Sequence, residues 1–152
     1  VGKSTFINRL IGKKVALVGN KPGVTKQLSW LRLNKNIELL DTPGILWPKL
    51  EDQHQAKVLA LFGSIKDEIL DKESLALFAL EELSRLYPSL IKEKYGFIYD
   101  KEKDPIIFLD IIGKKRGCLR KGGMVDYDKV YSIILQDFRA NSFGPVTIDR
   151  LK

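Results

Sequence analysis

Residues 2–5, Gly-Lys-Ser-Thr, run directly into an amphipathic stretch, and a short apolar run, Ile37–Leu40, later delivers Asp41-Thr42-Pro43-Gly44. A glycine turn opening onto a helix, followed within 44 residues by a strand that ends on an acidic turn, constrains the start of this chain to an α/β arrangement. Each position has a chemical reason. Gly2 lets backbone N–H groups, its own and that of Val1, approach an anion, and the helix behind it presents a partly positive end. Lys3 adds an ammonium, and the hydroxyl of Ser4 is a hard oxygen donor suited to Mg²⁺. Val1–Thr5 therefore reads as the closing half of the phosphate loop G-x-x-x-x-G-K-[ST]. Its opening glycine is expected before residue 1, so the chain reads as a fragment that begins inside the loop.

The second motif strengthens the first. Asp41 and Gly44 stand in a D-x-x-G arrangement, where the carboxylate reaches a metal shell, directly or through water, and the glycine N–H reaches a terminal phosphate. Between the two motifs, Pro22-Gly23-Val24-Thr25 offers a hydroxyl on a turn. Alone, Asp41 is as readily a turn former, and GKST alone is a short string. Their order and company point to bound nucleotide.

Charge is uneven along the 152 residues. The net is +6 over residues 1–65, −3 over 66–105 and +4 over 106–152, within a total of +7. Two basic regions around an acidic middle suggest polyanionic partners, although a solvated surface has the same pattern. One Cys and one His exclude a disulfide framework and a Cys/His zinc site supplied by this chain. No apolar stretch approaches the roughly 20 residues a membrane helix needs, and no signal or transit segment is visible, so no membrane partner is expected.

The periodicity divides the chain. Residues 1–10 predict a helix with Phe6, Ile7 and Leu10 on one stripe, and 15–18 is a short apolar run. Residues 28–33 predict a strand, 34–36 a hairpin turn and 37–40 a buried strand. From there the pattern is helical over 51–62 and 71–86, then from Pro105 through Ile112 with Ile107, Phe108 and Ile111 inward, and after a capping Asp126 with Val130, Ile133, Ile134 and Phe138 inward. Pro88 and Gly96 read as punctuation, 113–123 as a connection and 141–152 as a loosely tied tail. That connection packs five cations (Lys114, Lys115, Arg116, Arg120 and Lys121) and four glycines into eleven positions. Such a segment suits phosphate contacts; it lacks the aromatics that would stack bases. Cys118 within it reads as a small semi-buried thiol, and Trp30 and Trp47 as packing residues.

The series GKST, PGVT and DTPG resembles the first three nucleotide motifs of the translation-factor-related GTPases. The N-K-x-D sequence that reads guanine in such proteins is absent from 45–152. The longer strings DTPGILWPKLEDQ, GSIKDEIL, GKKRGCLRKGG, VDYDKV and ILQDFR closely resemble the ribosome biogenesis GTPase A family, a group of circularly permuted GTPases whose base-reading motifs precede the phosphate loop. The resemblance covers nearly the whole chain.

It implies an α/β P-loop GTPase portion, three-layer and Rossmann-like, over 1–65, followed by an all-helical RNA- and ribosome-binding domain over 66–152. GTP or GDP would sit on Val1, Gly2, Lys3, Ser4, Thr5 and Gly44, with Mg²⁺ held by Ser4, Thr25 and Asp41. Lys3, Thr25 and Gly44 would act in catalysis by positioning and charge. Ile45 stands where many GTPases carry a water-orienting Gln, so another group must serve; the family likeness implies a catalytic His outside this chain, and K⁺ assistance through an Asn before Val1. His54 reads as a surface or packing residue. The implied function is GTP hydrolysis coupled to assembly of the large ribosomal subunit and its rRNA, by a monomer in the bacterial cytoplasm or an organelle, the isolated fragment being weak or inactive. The rival readings are a non-hydrolysing RNA-binding scaffold with a degenerate nucleotide site and, less well matched by Thr25, Asp41 and Gly44, a generic P-loop ATPase.

Overall fold

The computed structural model describes residues 2–16, 19, 28–43, 52–65 and 71–148, and the chain divides into two compact units, 1–68 and 69–152. In the first, α1 (Lys3–Ile11) begins on Gly2 and ends on Gly12, both in the left-handed region with φ of 80° and 72°. An L side chain at either position would be strained, so glycine sets both ends of α1. Asn8 anchors the chain beyond α1: its Oδ1 accepts from the N–H groups of Val15 (2.9 Å) and Ala16 (2.8 Å), and its Nδ2 donates to the Ala16 carbonyl (2.8 Å).

β1 (Ser29–Arg32) and β2 (Glu38–Asp41) form an antiparallel ribbon pairing Ser29 with Asp41 and Arg32 with Glu38. The turn closes because Asn34 Oδ1 accepts from the N–H groups of Asn36 and Ile37, both at 2.9 Å, the Asx geometry that makes asparagine a turn residue. α2 (Gln53–Leu61) starts at Asp52, whose carboxylate accepts from the His54 and Gln55 N–H groups.

Here the sequence expectations need correction. Only Ile7 of the predicted α1 stripe is buried, while Phe6 and Leu10 are exposed. The strand read as buried leaves Ile37 and Leu40 exposed, and Trp30, read as a packing residue, is 68% exposed opposite Leu40. A two-stranded ribbon has one face to cover, and here the covered side carries Leu31 and Leu39, both half-buried.

The second unit contains α3 (Lys72–Leu86), α4 (Pro88–Tyr95), α5 (Pro105–Arg116) and α6 (Tyr127–Arg139). α3 packs along α6 and α4, and α5 lies on α6 and α4. Leu75, Ala76, Ala79, Leu80 and Leu83 of α3 meet a core completed by Ile91, Tyr95, Ile112, Val130 and Ile134. Aromatic rings continue it, with Tyr95 edge-on to Phe143 at 5.8 Å and Phe97 against Phe108 at 5.0 Å.

Pro88 and Gly96 enclose α4: proline supplies the helical φ at the first position and Gly96 the left-handed end. α5 runs a turn past Ile112 and buries Phe108, Leu109, Ile112 and Gly113, leaving Ile107 and Ile111 exposed, so the inward face is rotated by one residue from the predicted one. Within it, Gly113 fits because it has no side chain: a Cβ would lie 2.5 Å from Val125 Cγ1. The segment 141–148 is also tied down. Phe143 and Ile148 are buried, and the Tyr87 hydroxyl donates to the Thr147 carbonyl (3.1 Å) and accepts from the Thr147 N–H (3.0 Å). Among the described residues no helix is long and apolar enough to cross a membrane.

Candidate functional site

The turn at Gly2 and the end of β2 are brought together by one contact: the Lys3 ammonium forms an ion pair with the Asp41 carboxylate. Asp41 is 3% exposed, whereas the Lys3 side chain is 42% exposed. A buried carboxylate is costly unless paired, and Lys3 pairs it while keeping a face in solvent. Among the described residues no side chain caps α1, whose first turn has no acid, and none of them takes up the leading N–H groups of Lys3, Ser4 and Thr5, which an uncapped helix start leaves unbonded within the helix. Ser4 is half-buried in that turn and Thr5 is exposed. The arrangement holds what an anion needs, an ammonium and outward N–H groups, beside what a hard cation needs, a carboxylate and a hydroxyl. The donor set Ser4 and Asp41 therefore fits Mg²⁺ chemically. Val1, Thr25, Gly44, Ile45 and Trp47 lie outside the described residues. His54 is exposed in the first turn of α2. Sequence reasoning missed Asn8; its position beside Ile7 on the helix was the available signal.

The basic segment is half helix and half hairpin. Lys114, Lys115 and Arg116 form the last turn of α5, where cations also suit the helix dipole. Leu119 bridges Val125, and the chain turns through Gly122 and Gly123, with φ of 92° and 79°. Two of the five cations are engaged by carboxylates of the described residues. Arg116 donates to Asp137 at 3.2 Å, and Arg120 to Asp126 at 3.1 Å and Asp128 at 3.4 Å. Lys114, Lys115 and Lys121 are exposed and appear in none of the ion pairs of the described residues. Cys118 is fully buried under the hairpin, not half-buried.

Asp126 takes the N-cap position of α6 as expected, but its side chain makes no capping hydrogen bond there. Its carboxyl is held below the usual carboxylate range by the Arg120 hydrogen bond first, with Lys129 adding to it against the opposing effect of burial. A depressed folded-state pKa stabilises above the unfolded value and loses that stabilisation as pH falls through the folded one. The stability gap between wild type and Asp126→Asn should thus be full above a pH of about 4 and close below it. Urea titrations across pH 2.5–6 would show a gap constant with pH if the pairing were unimportant.

A family model described as 50S ribosome-binding GTPase matches residues 1–110. Ribosome biogenesis GTPase A of Bacillus pumilus is 45% identical over 150 residues, covering 99% of this chain and 53% of that protein. The GDP-bound structure of Thermotoga maritima YlqF matches with a TM-score of 0.64 at 26% identity, covering 98% of this chain and 56% of that one. The GNP-bound structure of the same protein matches with a TM-score of 0.63 at 27% identity, covering 98% and 55%. The chain spans about half the length of the curated relatives it matches.

Proposed function

The chain belongs to the 50S ribosome-binding GTPase family, and from that premise we propose that it is the C-terminal part of a circularly permuted GTPase that assists assembly of the large ribosomal subunit. The observation that carries this reading is the Lys3–Asp41 pair, which joins the phosphate-loop turn to the strand end that begins the D-x-x-G motif. Residues 1–65 would be the phosphate-binding portion of a three-layer GTPase domain, and 66–152 a helical RNA-binding domain.

With GTP present, the N–H groups of Val1 through Thr5 and the Lys3 ammonium would neutralise the phosphates, and Gly44 would donate to the terminal one. Ser4, Thr25 and Asp41 would hold Mg²⁺, which would supply charge neutralisation for the phosphates. In that state Lys3 exchanges the carboxylate for phosphate oxygens. Phosphoryl transfer depends mainly on positioning and charge, and Ile45 has no group to orient water, so turnover would be slow until the particle or the parent chain completes the site. No residue of this chain is assigned to K⁺. Contacts of GTP with Thr25 and Gly44 would favour particle binding, and hydrolysis would favour release. The action is expected in the bacterial cytoplasm.

On the RNA side, Lys114, Lys115 and Lys121 would contact phosphates, and Arg116 and Arg120 would hold the helix end and hairpin in place while adding to the local field. Replacing the three lysines with alanine should weaken rRNA binding and reduce the slope of log K against log salt by about 3, near one for each phosphate no longer neutralised. An unchanged slope would place the RNA surface elsewhere. The nucleotide switch is tested by co-sedimentation of the full-length protein with large subunits. Retention with a non-hydrolysable GTP analogue and release with GDP support it. Equal retention with both, and without nucleotide, favours the scaffold reading.

A further inference from the structure

One end of the second unit gathers the N-termini of α3, α5 and α6 around a groove of about 230 Å³. Leu77, Pro105 and Leu109 make it apolar, Tyr127 and Tyr131 add two rings, and Glu73 and Asp104 add carboxylates. Ile106, also lining it, is 51% exposed. The Tyr127 hydroxyl donates to Asp110 at 2.9 Å, which places a third carboxylate beside the groove.

Two of these carboxylates, Glu73 and Asp104, belong to the acidic stretch 66–105. The chain is basic overall, with a net charge of +7, yet Glu73, Asp104 and Asp110 take part in none of the ion pairs of the described residues. Asp104 caps α5 and Glu73 sits in the first turn of α3, so each also suits its helix. Asp110 lies in mid-helix and serves no helix end. The tyrosines register the resulting negative field. The Asp110 hydrogen bond, then burial, raises Tyr127 above its ordinary pKa, and burial, then Glu73, raises Tyr131. Both rings stay neutral, and a neutral tyrosine ring attracts cations through its electron-rich face.

The charge decides the occupant. Phosphate-bearing ligands and acidic peptides are repelled here, and a purely apolar segment would leave the lining carboxylates Glu73 and Asp104 without counter-ions, with Asp110 close by. Of the lysines read as the RNA surface, Lys114 and Lys115 lie in the last turn of α5, roughly 14 Å from its start along a helix rising 1.5 Å per residue, and Lys121 follows in the hairpin beyond it. We propose that this groove is a docking site for a basic peptide segment of a partner protein, seating a lysine or arginine side chain beside Tyr127 and Tyr131 and a neighbouring apolar side chain against Ile106 and Leu109. The second unit then offers one end to nucleic acid and the other to a basic protein. That combination suits a ribonucleoprotein surface.

The test is fluorescence anisotropy of the full-length protein with a labelled peptide of four Gly-Leu-Arg repeats, against the same peptide with Glu for Arg. The variant Glu73→Gln, Asp104→Asn, Asp110→Asn keeps an acceptor at every position and removes the charge. The control variant Glu81→Gln, Glu93→Gln, Glu102→Gln removes as much charge elsewhere on the unit. The expected result is binding of the Arg peptide only, weakened at least tenfold by the groove variant and less than twofold by the control. Ile106→Ala, at an exposed position, keeps the test open if the triple variant melts early; about threefold weakening is expected from its smaller apolar surface. Equal losses from groove and control variants, no binding of the Arg peptide, or unchanged binding by every variant would overturn the proposal. It would be overturned equally by self-association that the groove variant abolishes, or by a groove variant that weakens RNA binding instead.

Discussion

Replacing Lys3 with alanine in the full-length protein is expected to lower GTP turnover about 100- to 1000-fold, the usual cost of removing one aimed charge from a developing anion. The same substitution takes the ammonium from the buried Asp41 carboxylate, and an uncompensated buried charge is itself destabilising. The two effects separate in the double variant Lys3→Ala, Asp41→Asn. Removing both charges should recover stability relative to Lys3→Ala alone and leave turnover low. Recovered turnover in the double variant would mean that Lys3 serves the fold and not the phosphates. Thermal melts run beside single-turnover hydrolysis make the comparison.

The second large effect belongs to Asp137. This carboxylate is 5% exposed and joins three helices: it accepts from the Tyr95 hydroxyl at 3.0 Å and from Arg116 at 3.2 Å, with Lys94 Nζ at 3.6 Å. Burial, then the nearby Asp137 charge, pushes the Tyr95 hydroxyl far above the ordinary tyrosine value, so it remains a donor throughout the working pH range. Asp137→Ala removes the common acceptor and leaves a buried hydroxyl and two cations without it, at a cost of about 3 kcal/mol. For a unit of this size that is on the order of 15 °C in Tm. Asp137→Asn keeps an acceptor for Tyr95 and should fall between. A melting temperature within 3 °C of wild type for the alanine variant would show that this junction contributes little to stability.

Much of the architecture was legible because punctuation is local. Asp71, Asp104 and Pro105 sit at helix starts, and Asn34 closes the hairpin, through bonds that span two or three residues. Which face turns inward was less legible. Ile107 and Ile111 are as apolar as Phe108 and Ile112, and only the packing of α5 on α6 and α4 selects between the stripes. Gly113 looked like a linker residue because its reason, the approach of Val125, lies twelve positions away. The GKST and DTPG motifs were legible as strings, and the ion pair of Lys3 with Asp41 needs the two to meet in space. The division of labour among the cations was not legible, since the partners of Arg116 and Arg120 are set by the register of α6 and the hairpin. Nor was the groove at Tyr127 and Tyr131, which needs three helix ends brought together.

The central claim is that the Lys3 and Asp41 junction is the phosphate end of a GTPase activated by the ribosomal particle. The most direct measurement is GTP hydrolysis by the full-length protein with and without purified large ribosomal subunits, beside the Lys3→Ala variant. Slow turnover alone, strong stimulation by the subunits, and loss of that stimulation in the variant are the expected results. Equal and negligible turnover in every condition, with subunit binding intact, would contradict the claim.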